Sequence, residues 1–125
     1  MPKVLIVDDT VSELEVLSRI LQKANIETIQ ATNGEDAIAM IAAAPPDLVV
    51  LDVIMPGMNG FEVIRELRAN QKTEKLPVIF CSQKNTQIDY SWGLDMGADA
   101  YLSKPVDPQQ FINTIQRFLS RKSTN

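Results

Sequence analysis

Five side chains in this sequence have the types and the placement for phosphoryl chemistry: Asp8, Asp9, Asp52, Ser82 and Lys104. Asp8 and Asp9 follow the apolar run Val4-Leu5-Ile6-Val7, Asp52 follows Leu48-Val49-Val50-Leu51, and Ser82 follows Val78-Ile79-Phe80-Cys81. Lys104, with Pro105 after it, follows a weaker run ending at Leu102. Carboxylates brought together repel one another unless a divalent cation or a shared proton relieves them. Hard oxygen ligands with open positions suit Mg2+. A lysine opposite such a cluster and a hydroxyl beside it supply donors for the equatorial oxygens of a transferring phosphoryl group. One carboxylate is then placed to act as nucleophile and form an acyl phosphate. Asp52, the central acid, is the expected nucleophile. Singly, each residue has a duller reading: Asp9 as a turn or cap residue, Ser82 as a helix cap, Lys104 as a solvated charge. It is their conjunction at the same end of successive strands that favours chemistry.

The elements that must position these residues are legible in the apolar pattern. The three strong runs are rich in β-branched residues and do not alternate with polar ones, as expected of parallel strands buried on both faces. Between them, apolar residues recur with helical period: Val11, Leu14, Leu17 and Leu21, then Ala37, Ile38 and Ile41, then Phe61, Ile64 and Leu67. Weaker strands are expected at Glu27 to Ala31 and Ala98 to Leu102. A last helix carries Phe111, Ile112, Ile115, Phe118 and Leu119 on one stripe. Thr10-Val11-Ser12-Glu13 has the form of a capping box, and Ala44-Pro45-Pro46 must end the second helix. Asn33-Gly34 and Gly57-Met58-Asn59-Gly60 supply turn chemistry. Strand and helix alternate five times, which predicts a doubly wound parallel α/β sheet of the (βα)5 type. Its ligand site lies at the carboxyl ends of the strands, where the candidate residues fall.

Composition removes other classes. A chain of 125 residues, 45% apolar, fits one domain with one core. Twelve Lys plus Arg against sixteen Asp plus Glu leave a net charge of −4, which argues against nucleic acid as a direct partner. The absence of histidine excludes His-dependent triads and zinc-finger spacings, and the single cysteine, Cys81, excludes an internal disulfide. No run is long enough to span a bilayer and no signal-peptide pattern opens the chain, so a soluble, cytoplasmic protein is expected.

Three segments together carry a specific resemblance. Val4 to Asp9, Leu51 to Gly60 and Gly97 to Pro105 make the chain resemble a CheY-like receiver domain of two-component response regulators over essentially its whole length. The resemblance implies the flavodoxin-like strand order 2-1-3-4-5, which comes from the family and not from the periodicity. It implies Asp52 as phosphoacceptor, Asp8 and Asp9 as the acidic pair that positions Mg2+, and the Ile54 carbonyl as a further metal ligand. Ser82 matches the hydroxyl position, Lys104 the lysine position and Tyr101 the aromatic switch position, whose duller reading is an amphipathic strand aromatic. Lys104-Pro105 is a candidate cis peptide. The implied donor is a phosphohistidine on a sensor histidine kinase. The implied output is a change in the face formed by the fourth helix, fifth strand and fifth helix, read by a partner protein in a chemotaxis or pilus-motility type of pathway. Residues 1–122 are expected to form the receiver, with 123–125 a short polar tail, Ser120 to Asn125 frayed, and no output domain. A monomer or weak dimer is expected.

Three positions depart from common family members: Ile54, Gln83 and Lys84. Residues 54 and 84 face the phosphoryl group in the family. An apolar Ile54 impedes an attacking water and a basic Lys84 reaches phosphoryl oxygens, which together predict a long-lived acyl phosphate. Gln83, where a small residue is usual, crowds the site. Ile88, Trp92 and Met96 recur every four residues, a spacing that suits a partner-facing ridge or core packing, with core packing expected for at least two of them. Gly93 weakens the interior of that helix, which Asn85 or Thr86 caps. Met55 and Met58 are expected to fill gaps at their loop.

Two other function classes compete. A pseudo-receiver would keep the fold as a protein-interaction module without phosphorylation, but such modules usually lack one or more of the five site residues, all present here. A flavin protein needs a hydroxyl- and glycine-rich loop after the first strand, where Asp8-Asp9-Thr10 offers negative charge instead. An aspartate-nucleophile phosphohydrolase would place its two acids two residues apart on the first strand, and here they are adjacent. The expected protein is therefore a signalling switch and not a metabolic enzyme.

Overall fold

Runs that bury both faces of a strand need helices on both sides of the sheet, and the chain supplies them. A computed structural model, describing residues 2–123, has the order β1 (Lys3–Val7), α1 (Val11–Lys23), β2 (Glu27–Ala31), α2 (Gly34–Ala43), β3 (Leu48–Leu51), α3 (Gly60–Ala69), β4 (Val78–Ser82), α4 (Gln87–Asp95), β5 (Ala100–Ser103) and α5 (Pro108–Ser123). All neighbouring strands are parallel, in the order β2-β1-β3-β4-β5. This is the doubly wound arrangement expected, and its strand order is the one the resemblance implied.

Alternation along each strand divides the core into two layers. Leu5, Val7, Val49, Leu51, Val78 and Phe80 face α2 and α3, packing on Ala37, Ile41, Val63, Ile64 and Leu67. Val4, Ile6, Leu48, Val50, Ile79 and Cys81 face the other way, onto Leu14, Leu17 and Leu21 of α1 and Phe111, Ile115 and Phe118 of α5. Phe111 and Ile115 are wholly buried. Each such side chain stabilises the layer by about 1.5–3 kcal/mol relative to exposure.

The turn residues act as helix caps. Asn33 accepts from Asp36 N at 2.7 Å, and Asn59 forms a capping box with Glu62. Thr86 does the same with Asp89 and opens α4. Thr10 also occupies a cap position, but its side chain makes no cap hydrogen bond. The expected capping box at α1 does not form, because Glu13 turns toward Lys104 instead. Val11 is exposed, unlike the three leucines of its stripe.

Strand β5 begins at Ala100 and not at Ala98. Residues 96–98 first close α4, with Gly97 N and Ala98 N donating to Leu94 O and Gly93 O, and Gly97 at φ +107°. Helix α5 runs on through Ser123, past the expected frayed start at Ser120, while Thr124 and Asn125 of the expected tail lie outside the described residues. On α4, Ile88 and Trp92 are exposed and only Met96 is half-buried against the core. Core packing for two of these three is therefore corrected: α4 turns its buried Asp89 and Gly93 inward instead. Met55 is buried and Met58 half-buried against the core, as gap-filling residues would be. Among the described residues no helix is long and apolar enough to cross a membrane.

Candidate functional site

The sheet itself delivers the site. Asp8 N donates to Ala31 O at 3.2 Å, Asp52 N to Val7 O at 3.0 Å and Lys104 N to Ser82 O at 3.0 Å. Each bond continues a parallel ladder one step past the strand end, so the residue that follows an apolar run is held by backbone pairing before its side chain engages anything. Gly60 lets the start of α3 close on this edge: a Cβ there would lie 2.3 Å from the Asp52 carbonyl oxygen.

Oxygens of Asp8, Asp9 and Asp52 lie within 4.8 Å of one another. Asp8 is buried, Asp52 nearly so, and Asp9 exposed. The Lys104 ammonium contacts Asp8 Oδ2, lies 3.1 Å from Asp52 Oδ2 and 3.7 Å from Glu13 Oε2, and its side chain is only 6% exposed. The remaining oxygens are taken by the backbone: Thr10 N donates to Asp8 Oδ1 at 3.0 Å and Ile54 N to Asp52 Oδ1 at 3.2 Å. Burial, the largest influence on Lys104, works to neutralise it, but its hydrogen bond to Asp8 and the charge of Asp52 outweigh burial and hold it above the ordinary lysine range. Three carboxylates thus contact one ammonium and Asp9 adds a fourth beside them, leaving formal negative charge at a pocket built of hard oxygen donors. A hard divalent cation fits that donor set.

Ser82 is wholly buried beside this cluster, and its Oγ accepts from Lys84 N at 3.1 Å. The Tyr101 hydroxyl donates to the Lys84 carbonyl. Its ring is held between Phe80, at 5.7 Å between centroids, and the edge of Tyr90 at 4.9 Å. Burial first, against an opposing hydrogen bond from Ser82 and with the nearby charges of Asp89 and Asp52, pushes the Tyr101 phenol up to about 12. Gly93 makes this packing possible: a Cβ on it would lie 2.7 Å from Tyr101 Cδ2 and 3.1 Å from Phe80 Cδ2. The glycine that weakens the helix in isolation is what allows α4 to close on the ring.

The structure therefore brings Asp8, Asp9, Asp52 and Lys104 together, with Ser82 and Tyr101 joined to each other through Lys84. The Lys104-Pro105 peptide is cis. Gln83 and Ile54 are exposed. The Lys84 ammonium is not on the carboxylate cluster but 3.1 Å from Asp89 Oδ1. Two residues escaped the sequence reading, Glu13 and Asp89. Glu13 had the signal of following Asp9 by one helical turn, but the capping pattern explained it equally well. Asp89 had none, since an acid three residues after a threonine signals a cap and says nothing of a lysine beyond it.

Comparison with known proteins agrees with this geometry. The family model described as response regulator receiver domain matches residues 4–116. Protein PilH of Pseudomonas aeruginosa is 38% identical over 120 residues, covering 96% of this chain and 99% of that protein. Among solved structures, the chemotaxis protein CheY4 of Vibrio cholerae superposes with a TM-score of 0.88 at 33% identity, over 94% of this chain and 98% of that one. The signal receiver domain of a signal transduction histidine kinase from Syntrophus aciditrophicus gives 0.89 at 30% identity, over 97% and 92%. With its acidic pocket, its parallel sheet and a family match across most of its length, this chain belongs to the response regulator receiver domain family.

Proposed function

We propose that this protein is a phosphorylated switch of a two-component pathway, taking a phosphoryl group from a sensor histidine kinase onto Asp52 and signalling to a partner protein. The observation that carries the reading is the Lys104 ammonium held between Asp8 and Asp52 in a pocket of three clustered carboxylates. A cation would be held by Asp8, Asp9, Asp52 and the Ile54 carbonyl. When bound, Mg2+ supplies charge neutralisation for the phosphoryl oxygens.

The chain's own residues do the rest. An Asp52 carboxylate oxygen attacks phosphorus while the phosphorus–nitrogen bond of the phosphohistidine breaks and the imidazole departs with that electron pair, leaving an acyl phosphate. Asp52 is held for this by the Ile54 N–H on one oxygen and by Lys104 on the other. Lys104, released from part of its contact with Asp52, then donates to a phosphoryl oxygen as a charge-assisted partner. Ser82 turns its hydroxyl hydrogen from the Tyr101 oxygen to the phosphoryl group, while its Oγ keeps accepting from Lys84 N. Hydrolysis reverses the modification: water attacks phosphorus, the bond to Asp52 breaks, and carboxylate and inorganic phosphate result. Ile54, exposed beside Asp52, shields the approach of that water, and Gln83 restricts the space above Ser82.

The output follows from the Tyr101 packing. A Ser82 hydroxyl drawn toward the phosphoryl group alters the β4–α4 connection that Tyr101 grips at the Lys84 carbonyl. The α4, β5 and α5 surface then shifts between two arrangements that a partner distinguishes. The chain is a signalling module and not a metabolic enzyme.

Intact mass after incubation with acetyl phosphate and Mg2+ tests the reading. Wild type is expected to gain one phosphoryl group, and Asp52→Ala or wild type with chelator to gain none. No gain in wild type with acetyl phosphate or with a phosphorylated kinase would instead favour a pseudo-receiver that acts by binding alone.

A further inference from the structure

Lys84 joins the site to α4 through three different atoms. Its N–H donates to Ser82 Oγ at 3.1 Å, its carbonyl accepts from the Tyr101 hydroxyl, and its ammonium lies 3.1 Å from Asp89 Oδ1. The Asp89 side chain is 7% exposed and the Lys84 side chain 48%, so the carboxylate is the fixed partner and the ammonium the movable one. Asp89 is fixed because its other oxygen accepts from Thr86 N at 2.9 Å and Thr86 Oγ1 at 2.7 Å in the first turn of α4.

We propose that Asp89 is a positioning residue: it holds the Lys84 ammonium on α4 while Asp52 is unmodified and yields it to the phosphoryl group once Asp52 carries one. The inference rests on the phosphoacceptor reading above. The exchange follows from charge. A phosphoryl group brings close to two negative charges and three acceptor oxygens. Among the described residues, Lys104 is the ammonium in contact with Asp52, and it is shared with Asp8 and Glu13. Asp89 offers a single charge, part of which Thr86 already satisfies. The flexible four-carbon stem of Lys84 turns without disturbing the peptide that Ser82 and Tyr101 grip. After Lys84 leaves, Asp89 keeps its Thr86 bonds and sits at a helix N-terminus that favours an anion, so α4 stays capped and the exchange is reversible. The first turn of α4 thereby registers the state of the pocket by a route separate from the Tyr101 ring.

A double-mutant cycle with beryllofluoride and Mg2+ as the phosphoryl mimic tests this, using wild type, Asp89→Asn, Lys84→Met and the double variant. Asn keeps an oxygen for Thr86 and removes the charge that holds Lys84. Asp89→Asn is expected to bind beryllofluoride about threefold more tightly than wild type, the scale of one partly exposed ion pair released from competition. Lys84→Met is expected to bind more weakly, and adding Asp89→Asn to it is expected to change nothing. A mere loss of the cap would act alike in both backgrounds, so an equal effect of Asp89→Asn with and without Lys84, or no effect in either, overturns the inference while leaving phosphorylation intact. Wild type that binds no beryllofluoride overturns the phosphoacceptor reading and this inference with it.

Discussion

Asp9→Asn isolates what the acidic cluster costs the fold. Asp9 is exposed, its carboxylate oxygen lies within 4.8 Å of those of Asp8 and Asp52, and the substitution changes charge with little change of shape. Two like charges at that 4.8 Å limit repel by about 0.9 kcal/mol in a water-like dielectric and about 3.5 kcal/mol at an effective dielectric of ~20. Asp9 faces two such repulsions and, farther in, the attraction of Lys104, so roughly one pair interaction survives. Its exposure places that remainder near the lower figure, about 1 kcal/mol. Asp9→Asn is therefore expected to be more stable than wild type by about 1 kcal/mol in chelator at low salt, with Tm higher by about 4 °C. Added salt shrinks the gain by screening. Mg2+ works in the opposite sense, because a cation bound only by the folded state stabilises by RT ln(1 + c/Kd) at free cation concentration c, and the full carboxylate set binds it more tightly. Urea unfolding followed by far-UV circular dichroism, with chelator and with Mg2+, reads both effects. A variant less stable than wild type in chelator, or Mg2+ that stabilises both proteins equally, refutes the reasoning.

Two further substitutions probe the pocket and the ring packing. Lys104→Met leaves Asp8 and Asp52 buried without their cation and is expected to destabilise by about 3 kcal/mol at neutral pH. Because Lys104 is held above its ordinary range when folded, its contribution is complete below the ordinary lysine value of about 10.4 and is lost as pH rises past it. Wild type should therefore show a steeper decline in unfolding free energy above that pH than Lys104→Met, which keeps only the decline due to groups such as Tyr101, and identical alkaline profiles would contradict the ion-pair account. Gly93→Ala should gain about 1 kcal/mol of helix propensity but lose about 1–3 kcal/mol to the clash with Tyr101, for a net loss in urea unfolding. In a Tyr101→Ala background the loss should shrink, and an equal loss in both backgrounds would show that the ring does not set the requirement for glycine.

How far the sequence was legible depended on the range of the interaction concerned. Val4 to Val7, Leu48 to Leu51 and Val78 to Cys81 were readable as central strands because burial on both faces demands a continuous apolar run, which is a local property. The β5 start was misplaced because Gly97 and Ala98 serve the end of α4, and a left-handed glycine followed by alanine resembles a strand entrance. Helical spacing of Ile88, Trp92 and Met96 suggested an inward stripe. The inward face is set instead by the closeness of Tyr101, which only Gly93 tolerates. Glu13 fitted a local capping pattern, and its attraction to Lys104 became decisive only when the fold brought the Lys104 side chain to the first turn of α1.

The residue types and their place one step beyond apolar runs determined, without coordinates, that this protein is a parallel α/β domain with acids, a hydroxyl and a lysine at one sheet edge. That much follows because backbone pairing carries each strand's next residue to the same edge. Which partner each side chain takes was decided by the tertiary structure alone: Glu13 on Lys104, Lys84 on Asp89, and the Tyr101 hydroxyl on the Lys84 carbonyl. Charge and hydrogen-bond attractions of these side chains reach only a few ångströms, so they take effect after the hydrophobic layers have set the distances between elements remote in sequence.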